Sequence, residues 1–159
     1  MPSPDLVAGD LAGIRITPLD TDCPAQLDAS IALLVDAFGD PLRYGAERLR
    51  LELQTADPVF YRKFFVAEAD GQVLAFGGVK AADWASRTHI LYLSAVAPEK
   101  RGRGLGRAMI RARVDWVTGN FKSGRLLVSA AKPRRFRDHG FEAIRDSELD
   151  GRQLLIRRF

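Results

Sequence analysis

The spacing of apolar positions changes repeatedly along the chain, and each change marks an element. Residues 14–18 form a short extended segment. Beyond Pro24, Leu27, Ile31, Leu34, Val35 and Phe38 fall on one face of a helix. Pro24 suits its first turn and Gly39 its end. Residues 47–56 are ambiguous: Leu49, Leu51 and Leu53 alternate as in a strand, yet their neighbours are helix formers without β-branching. A helix is therefore expected there. Residues 64–69 and 73–79 are apolar runs joined by Asp70-Gly71-Gln72. Asp-Gly between such runs predicts a hairpin, because its turn needs positive φ angles. Residues 88–96 read as another strand, stopped by Pro98.

A glycine-rich turn follows, then a helix over about residues 104–118. Its apolar face carries Leu105, Met109, Ala112 and Trp116, and Gly119-Asn120 is expected to close it. Residues 126–129 read as a strand, and 133–139 as a short helix stopped by Gly140. Residues 141–145 and 153–158 pair as a last hairpin across Asp150-Gly151. The order is strand, two helices, three strands, helix, strand, short helix, two strands. That order predicts an α/β (α+β type) fold with a mixed sheet and helices on both faces. No repeat or linker divides the chain. Residues 13–159 are expected to form one domain and residues 1–12, with Pro2, Pro4 and Gly9, a flexible lead-in.

Composition narrows the setting. One cysteine, Cys23, rules out an internal disulfide and fits a reducing compartment. No apolar run approaches the roughly 20 residues of a membrane span. The opening residues hold Asp5 and Asp10 but no basic residue, unlike a secretory signal. A cytoplasmic protein is expected, without membrane partners. Two separate histidines and one cysteine lack metal-site spacing, so no metal is expected.

The net charge of +4 is modest, but its placement is not even. Lys100, Arg101, Arg103, Arg107, Arg111 and Arg113 form one basic segment, and Lys132, Arg134, Arg135 and Arg137 another. Such clustering suits either a solvated helix face or a polyanionic ligand. The glycines beside the first segment favour the ligand. Gly102, Gly104 and Gly106 let the backbone turn tightly and approach a guest closely. The first turn of the next helix has unpaired N–H groups and a positive dipole end, a ready phosphate site. Arg101, Arg103 and Arg107 add charge-assisted donors. No Gly-Lys-Ser/Thr triplet follows, so this is not a P-loop. The dinucleotide fingerprint also fails, since its third glycine would fall on Arg107 or Met109. What the segment does satisfy is Arg-x-x-Gly-x-Gly, at Arg101, Gly104 and Gly106.

The run from Val96 through Ala97, Pro98, Glu99, Lys100, Arg101, Gly102, Arg103, Gly104 and Leu105 to Gly106 resembles the GNAT superfamily of N-acetyltransferases. Phe136-Arg-Asp-His-Gly140-Phe141 and the element order support this resemblance over residues 13–159. It implies a mostly antiparallel central sheet of six or seven strands, splayed between the fourth and fifth strands. It implies acetyl-CoA as co-substrate and direct acetyl transfer to an amine. The backbone around Ala95, Val96 and Ala97 would pair with the pantetheine arm. The segment of Arg101, Gly102, Arg103, Gly104, Leu105, Gly106 and Arg107 would hold the pyrophosphate. The second basic cluster would meet the adenosine 3′-phosphate.

Direct transfer needs a base for the amine, donors for the developing negative charge, and a proton for the leaving thiolate. The resemblance places a Glu or His on the fourth strand, but the alternate positions there are Ile90, Tyr92 and Ser94. It places a Tyr on the last short helix, where this chain has Phe136. Tyr92 and Ser94 are therefore the catalytic candidates, against the plain reading of a packed strand tyrosine and a structural serine. Ser129, His139, His89, Glu99, Glu68 and Asp83 are weaker alternatives, and Cys23, at a helix start, reads as structural.

The acceptor is left as a small-molecule, peptide or protein amine, and the resemblance allows a homodimer. A CoA-binding regulatory module without transferase activity is the alternative within the fold. A basic nucleic-acid-binding domain is the alternative outside it. No aromatic platform is interleaved with the arginines, so no nucleic acid is expected.

Overall fold

The computed structural model describes residues 11–55 and 58–159. Seven strands form one sheet: β1 (Arg15–Pro18), β2 (Arg62–Ala69), β3 (Gln72–Ala81), β4 (Thr88–Val96), β5 (Arg125–Ala130), β6 (Glu142–Ala143) and β7 (Gln153–Arg158). Their order across the sheet is β1-β2-β3-β4-β5-β7-β6. Every neighbouring pair is antiparallel except β4 and β5, which run parallel. The helices are α1 (Pro24–Phe38), α2 (Ala46–Gln54), α3 (Leu105–Asn120) and the single turn α4 (Arg134–Arg137).

The strand period of two divides the core between the two faces. Phe64 and Val66 of β2 meet Leu27, Ile31 and Leu34 of α1 and Leu49 and Leu53 of α2. Phe65 and Ala67 of the same strand face the other way, toward Met109, Ile110 and Val117 of α3. Leu34 is wholly enclosed. Burying each such leucine stabilises the fold by roughly 1.5–3 kcal/mol.

The local signals are realised where backbone chemistry dictates them. Asp70-Gly71 and Asp150-Gly151 both turn at φ near 52° and 74°. Gly39 ends α1 in the left-handed region, its N–H bonded to the Val35 carbonyl. In the ambiguous leucine segment the helix prevails. Leu49 and Leu53, four apart, are buried, while Leu51 is 72% exposed. The end of that segment, Ala56, and the lead-in up to residue 10 lie outside the described residues.

Three features differ from expectation. The last hairpin is short, because β6 pairs only Glu142 and Ala143 with β7 before the chain leaves the ladder. There the Ser147 hydroxyl takes over, accepting from the Leu154 N–H at 3.1 Å. Next, α3 does not stop at Gly119. It continues to Asn120 and closes on Phe121, which packs among Tyr61, His89 and Trp116. Last, the inner face of α3 is centred on Met109, Ala112 and Arg113 rather than on Trp116, which is only half-buried. Arg113 therefore leaves the basic cluster and enters the core.

Two irregularities in β4 shape the centre of the sheet. Phe76 pairs with Ala95 but Gly78 pairs with Tyr92, so two steps on β3 face three on β4. The extra residue makes a β-bulge, and Leu93 sits in it at φ 52°. A left-handed leucine costs about 1–2 kcal/mol, a strain that the surrounding pairing has to hold. In addition, β4 and β5 are bonded only from Thr88 to Ile90, opposite Arg125 to Leu127. Beyond Ile90 they part, opening a cleft whose walls are the unpaired edges of both strands.

Candidate active site

The mouth of this cleft is the segment after β4. Pro98–Lys100 forms one 3₁₀ turn, and Gly102 and Gly104 take φ of 76° and 87°. Gly104 caps α3, and no side chain bonds to the N–H groups of that first turn. Four amides thus point outward at the positive end of a 16-residue helix. Around Gly102 and Gly104 no atom lies within 4 Å of where a Cβ would stand, so the protein itself leaves that space open. At Gly106 the nearest atoms to such a Cβ are Val96 Cγ2 and Arg135 Nη1, each at 3.8 Å. Arg135, from the second basic cluster, therefore stands beside the helix end.

The arginines of the segment are exposed and differ in what they touch. Arg101 donates through Nε to the Val96 carbonyl at 3.1 Å, which anchors it beside the end of β4. Arg107 pairs with Asp138 at 3.2 Å, tying α3 to the residue after α4. Arg111 pairs with Asp115 along the helix. The open glycines, unbonded amides and flanking arginines fit a diphosphate, and the splayed strands beyond them fit a narrow, amide-bearing arm.

The bulge decides the rest of the site. Without it Tyr92 and Ser94 would share a face. With it, Leu93 and Ala95 join Tyr92 among the α1/α2 cluster, while Val96 packs on the α3 side. Ser94 turns with Val96 and meets a side chain of α3. The two candidates thus stand on opposite faces of one strand.

Tyr92 donates its hydroxyl proton to Glu52 Oε1 of α2 at 2.6 Å. The same carboxylate lies 3.5 Å from Arg62 Nη1 and 3.9 Å from Lys80 Nζ. Lys80 also stands over the Tyr92 ring, 4.5 Å from its centroid. Burial and the Glu52 bond push the Tyr92 pKa well above its ordinary value, so the phenol keeps its proton and orients the carboxylate. Glu52 remains a quarter exposed, open to a ligand. Sequence reading missed Glu52, because α2, β2 and β3 bring their charges together only in the folded sheet.

On the other face Arg113 is 1% exposed. Its guanidinium donates to three neutral acceptors: Met109 O at 3.0 Å, Gly78 O at 3.1 Å and Ser94 Oγ at 2.9 Å. Among the described residues no carboxylate pairs with it. Burial pushes its pKa down to about 10, so it stays cationic at neutral pH. A buried cation without a counter-charge costs several kcal/mol of desolvation. Its room comes from Gly77, where a Cβ would stand 2.7 Å from Arg113 Nε. Gly78 does the same on the opposite face, where a Cβ would meet Tyr92 and Phe64 at 3.0 and 3.1 Å. The glycine doublet inside a strand was the signal available in the sequence, since such glycines mark close approaches.

The remaining candidates lie elsewhere. Phe136 is buried against Phe141 in the α3-side core and carries no proton to give. His89 is buried among aromatic rings, its Nδ1 2.6 Å from the Tyr61 hydroxyl. His139 is half-buried beside Asp138, and burial lowers both histidine pKa values. Ser129, at the end of β5, accepts from Arg152 Nε at 3.1 Å. Glu68 accepts from Gln26 at 2.8 Å toward the β1 edge of the sheet. Glu99 and Asp83 are exposed, and Cys23 precedes α1 half-buried. Among the described residues no group of three His, Cys, Asp or Glu could hold a metal ion, and no helix is long and apolar enough to cross a membrane.

A sheet splayed after one parallel pair, with an open helix end at its mouth, defines the class of acyl-CoA-dependent transferases. Residues 61–143 match the family model of the acetyltransferase (GNAT) domain, and the chain belongs to that family. Solved structures share the fold. Escherichia coli ElaA superposes with a TM-score of 0.71 over 91% of this chain and 99% of its own, at 14% identity. The PaiA N-acetyltransferase of Thermoplasma acidophilum, solved in complex with coenzyme A, gives 0.72 over 92% and 99%, at 13% identity. A curated relative, mycothiol acetyltransferase of Tsukamurella paurometabola, is 52% identical over 50 residues, 31% of this chain. That match spans 17% of the relative's own length.

Proposed function

We propose that this chain transfers an acetyl group from acetyl-CoA directly to an amine, as a single domain over residues 13–159. The observation that carries the reading is the uncapped α3 N-terminus at the mouth of the β4–β5 cleft. In this reading the amides from Arg101 to Arg107 hold the pyrophosphate, and Arg135 reaches the phosphates from α4. The unpaired edge of β4 around Ala95, Val96 and Ala97 bonds the pantetheine arm. Family membership and the coenzyme A carried by the Thermoplasma PaiA neighbour support this donor half.

The acceptor half rests on Glu52. A bound ammonium loses one proton to solvent, and the neutral amine attacks the thioester carbon. As the C–S bond breaks, the nitrogen passes a second proton to the Glu52 carboxylate. Tyr92 holds that carboxylate in place, one residue from the strained turn of β4. Lys80 and Arg62 leave this cluster with one net positive charge, which suits an acceptor bearing a carboxylate or another anionic group near its amine. The short match to mycothiol acetyltransferase does not narrow an acceptor panel of amino acids, peptides and aminoglycosides.

Release of free thiol from acetyl-CoA is the test, followed continuously with a thiol reagent against that panel. Amine-dependent release, with the acetylated product found by mass spectrometry, supports transfer. Binding of coenzyme A with no release against any amine would make the chain a CoA-binding module instead.

A further inference from the structure

Among the described residues Arg113 is the one fully buried charged group that the donor and acceptor halves leave unused. Its position is not an accident of packing. Gly77 has no Cβ, and only that absence lets the guanidinium lie against β3. The bulge at Leu93 turns Ser94 toward it. The guanidinium N–H occupies a lone pair of Ser94 Oγ at 2.9 Å. The serine is exposed, on the stretch of β4 that has left β5. Its own O–H is thus free to donate to a further acceptor, on a stretch of strand edge that a ligand can reach. It lies two residues before Val96, on the side of the strand that faces the α3 N-terminus.

A hydroxyl whose oxygen accepts from a cation is a stronger donor than a free one, because the two bonds polarise each other. A cation held in a dry interior favours any negative charge that forms nearby, far more than it would in water. Among the described residues Arg113 has no carboxylate partner, so its charge is left to favour a negative charge brought by a ligand.

We infer that Ser94, polarised by Arg113, donates a hydrogen bond to the sulfur of coenzyme A and stabilises it as a thiolate. This rests on the donor-site reading above. Ser94 is then a catalytic residue and Arg113 a positioning one. In the transfer step the amine nitrogen forms its bond to carbon, the C–S bond breaks, and the electron pair stays on sulfur. The serine keeps its proton throughout. The thiolate takes up a proton from solvent as it leaves. The device supplies what Phe136, packed in the core, cannot.

The charged groups around this point are few. Arg113 comes from α3, β5 carries only Arg125 at its start, and Arg152, just before β7, bonds Ser129 near the end of β5. From the opposite face Glu52, Arg62 and Lys80 gather on Tyr92. Glu52, as a negative charge, opposes a thiolate, so a lowered thiol pKa is not its doing.

Coenzyme A is titrated into the wild-type protein, Ser94→Ala, Ser94→Thr, Arg113→Met and Glu52→Gln, and the thiolate is read by its ultraviolet absorbance as pH rises. Desulfo-coenzyme A, which lacks the thiol, reports affinity alone. The expected result is a bound thiol pKa at least one unit below that of free coenzyme A, or about tenfold more thiolate at neutral pH. Ser94→Ala restores the free value, Ser94→Thr keeps the shift, and Glu52→Gln, which removes a negative charge near the sulfur, keeps or enlarges it. Desulfo-coenzyme A binds all of these equally. Arg113→Met, where a melt shows it folded, restores the free value too; the exposed Ser94 variants decide the matter if it does not fold. A bound thiol that titrates like free coenzyme A, or a shift that survives Ser94→Ala, overturns the inference alone. Coenzyme A that fails to bind the wild-type protein overturns the donor-site reading and this inference with it.

Discussion

The two halves of the candidate site are built in opposite ways. The donor half is one contiguous stretch, Ala95 to Arg107, and backbone does its work: a strand edge, two left-handed glycines and an uncapped helix end. The acceptor half is four side chains from four elements, Glu52 on α2, Arg62 on β2, Lys80 on β3 and Tyr92 on β4. A backbone site depends on conformation and tolerates most side-chain changes that preserve it. A side-chain site fails when one atom changes. The bulge at Leu93 joins the two, since it separates the partners of Tyr92 from those of Ser94.

The sharpest way to divide them is Glu52→Gln. It keeps the shape and the Tyr92 contact but removes the base. We expect kcat/KM to fall by roughly 10²–10⁴, the usual contribution of a positioned base, with coenzyme A affinity unchanged. Parallel steady-state kinetics and calorimetry check this. A matching loss of coenzyme A affinity would mean that the two halves are not separable.

Gly77→Ala tests the room made for Arg113. A Cβ 2.7 Å from a buried guanidinium has nowhere to go without moving α3 or β3. Overpacking of this kind costs about 1–3 kcal/mol, or roughly 2–12 °C in Tm for a chain of this size. Urea or thermal melts measure it. A variant as stable as the wild type would show that Arg113 is free to swing aside.

A smaller effect comes from the two histidines, which lie outside both halves. Burial lowers the pKa of His89 and of His139 in the folded state. Well above the ordinary histidine value, by about pH 8, both are neutral, folded or unfolded, and stability does not depend on them. Below it the unfolded chain takes up protons first, so stability falls. The slope cannot exceed about 1.4 kcal/mol per pH unit for each histidine, and it vanishes once the folded value is passed. Melts from about pH 8 to pH 5 should show the decline in the wild type and a shallower one in His89→Phe.

The smallest effect is expected at the rim. Arg107 and Asp138 are both more than half exposed, and such pairs contribute at most about 1 kcal/mol. Asp138→Ala frees Arg107 for a ligand, so coenzyme A affinity at low salt should stay level or rise slightly. A clear fall would mean that the pair holds α4, and Arg135 with it, over the helix end.

This division explains what the sequence could and could not disclose. Elements whose signals are local were legible, including both Asp-Gly turns, the Gly39 cap and all seven strands in order. So was the open glycine turn before α3, because glycines and the helix start lie side by side in the text. Leu49, Leu51 and Leu53 were legible only as an ambiguity, which packing against Phe64 and Val66 resolved. The bulge left no mark, since Leu93 is an ordinary strand residue held left-handed by its partners. Without it Tyr92 and Ser94 seemed to share a face. Glu52 was one of several helix carboxylates, and nothing in the order of residues placed it 2.6 Å from a tyrosine 40 positions later. Arg113 was read with its neighbours as part of a basic segment for a solvated face or a polyanionic ligand, because the room for it in the core is made by a glycine on another strand.

The most direct test of the account is a calorimetric titration of acetyl-CoA into the wild-type protein and into a Gly104→Val/Gly106→Val variant shown to be folded by its melt. Valine at φ 87° is strained, and at position 106 it fills the space beside Val96 and Arg135. The account predicts micromolar binding to the wild type and a loss of at least about 100-fold in the variant, or about 2.7 kcal/mol. Equal binding to both would move the donor site away from the α3 N-terminus. No binding to the folded wild type would leave the chain with the fold of this family and without its chemistry.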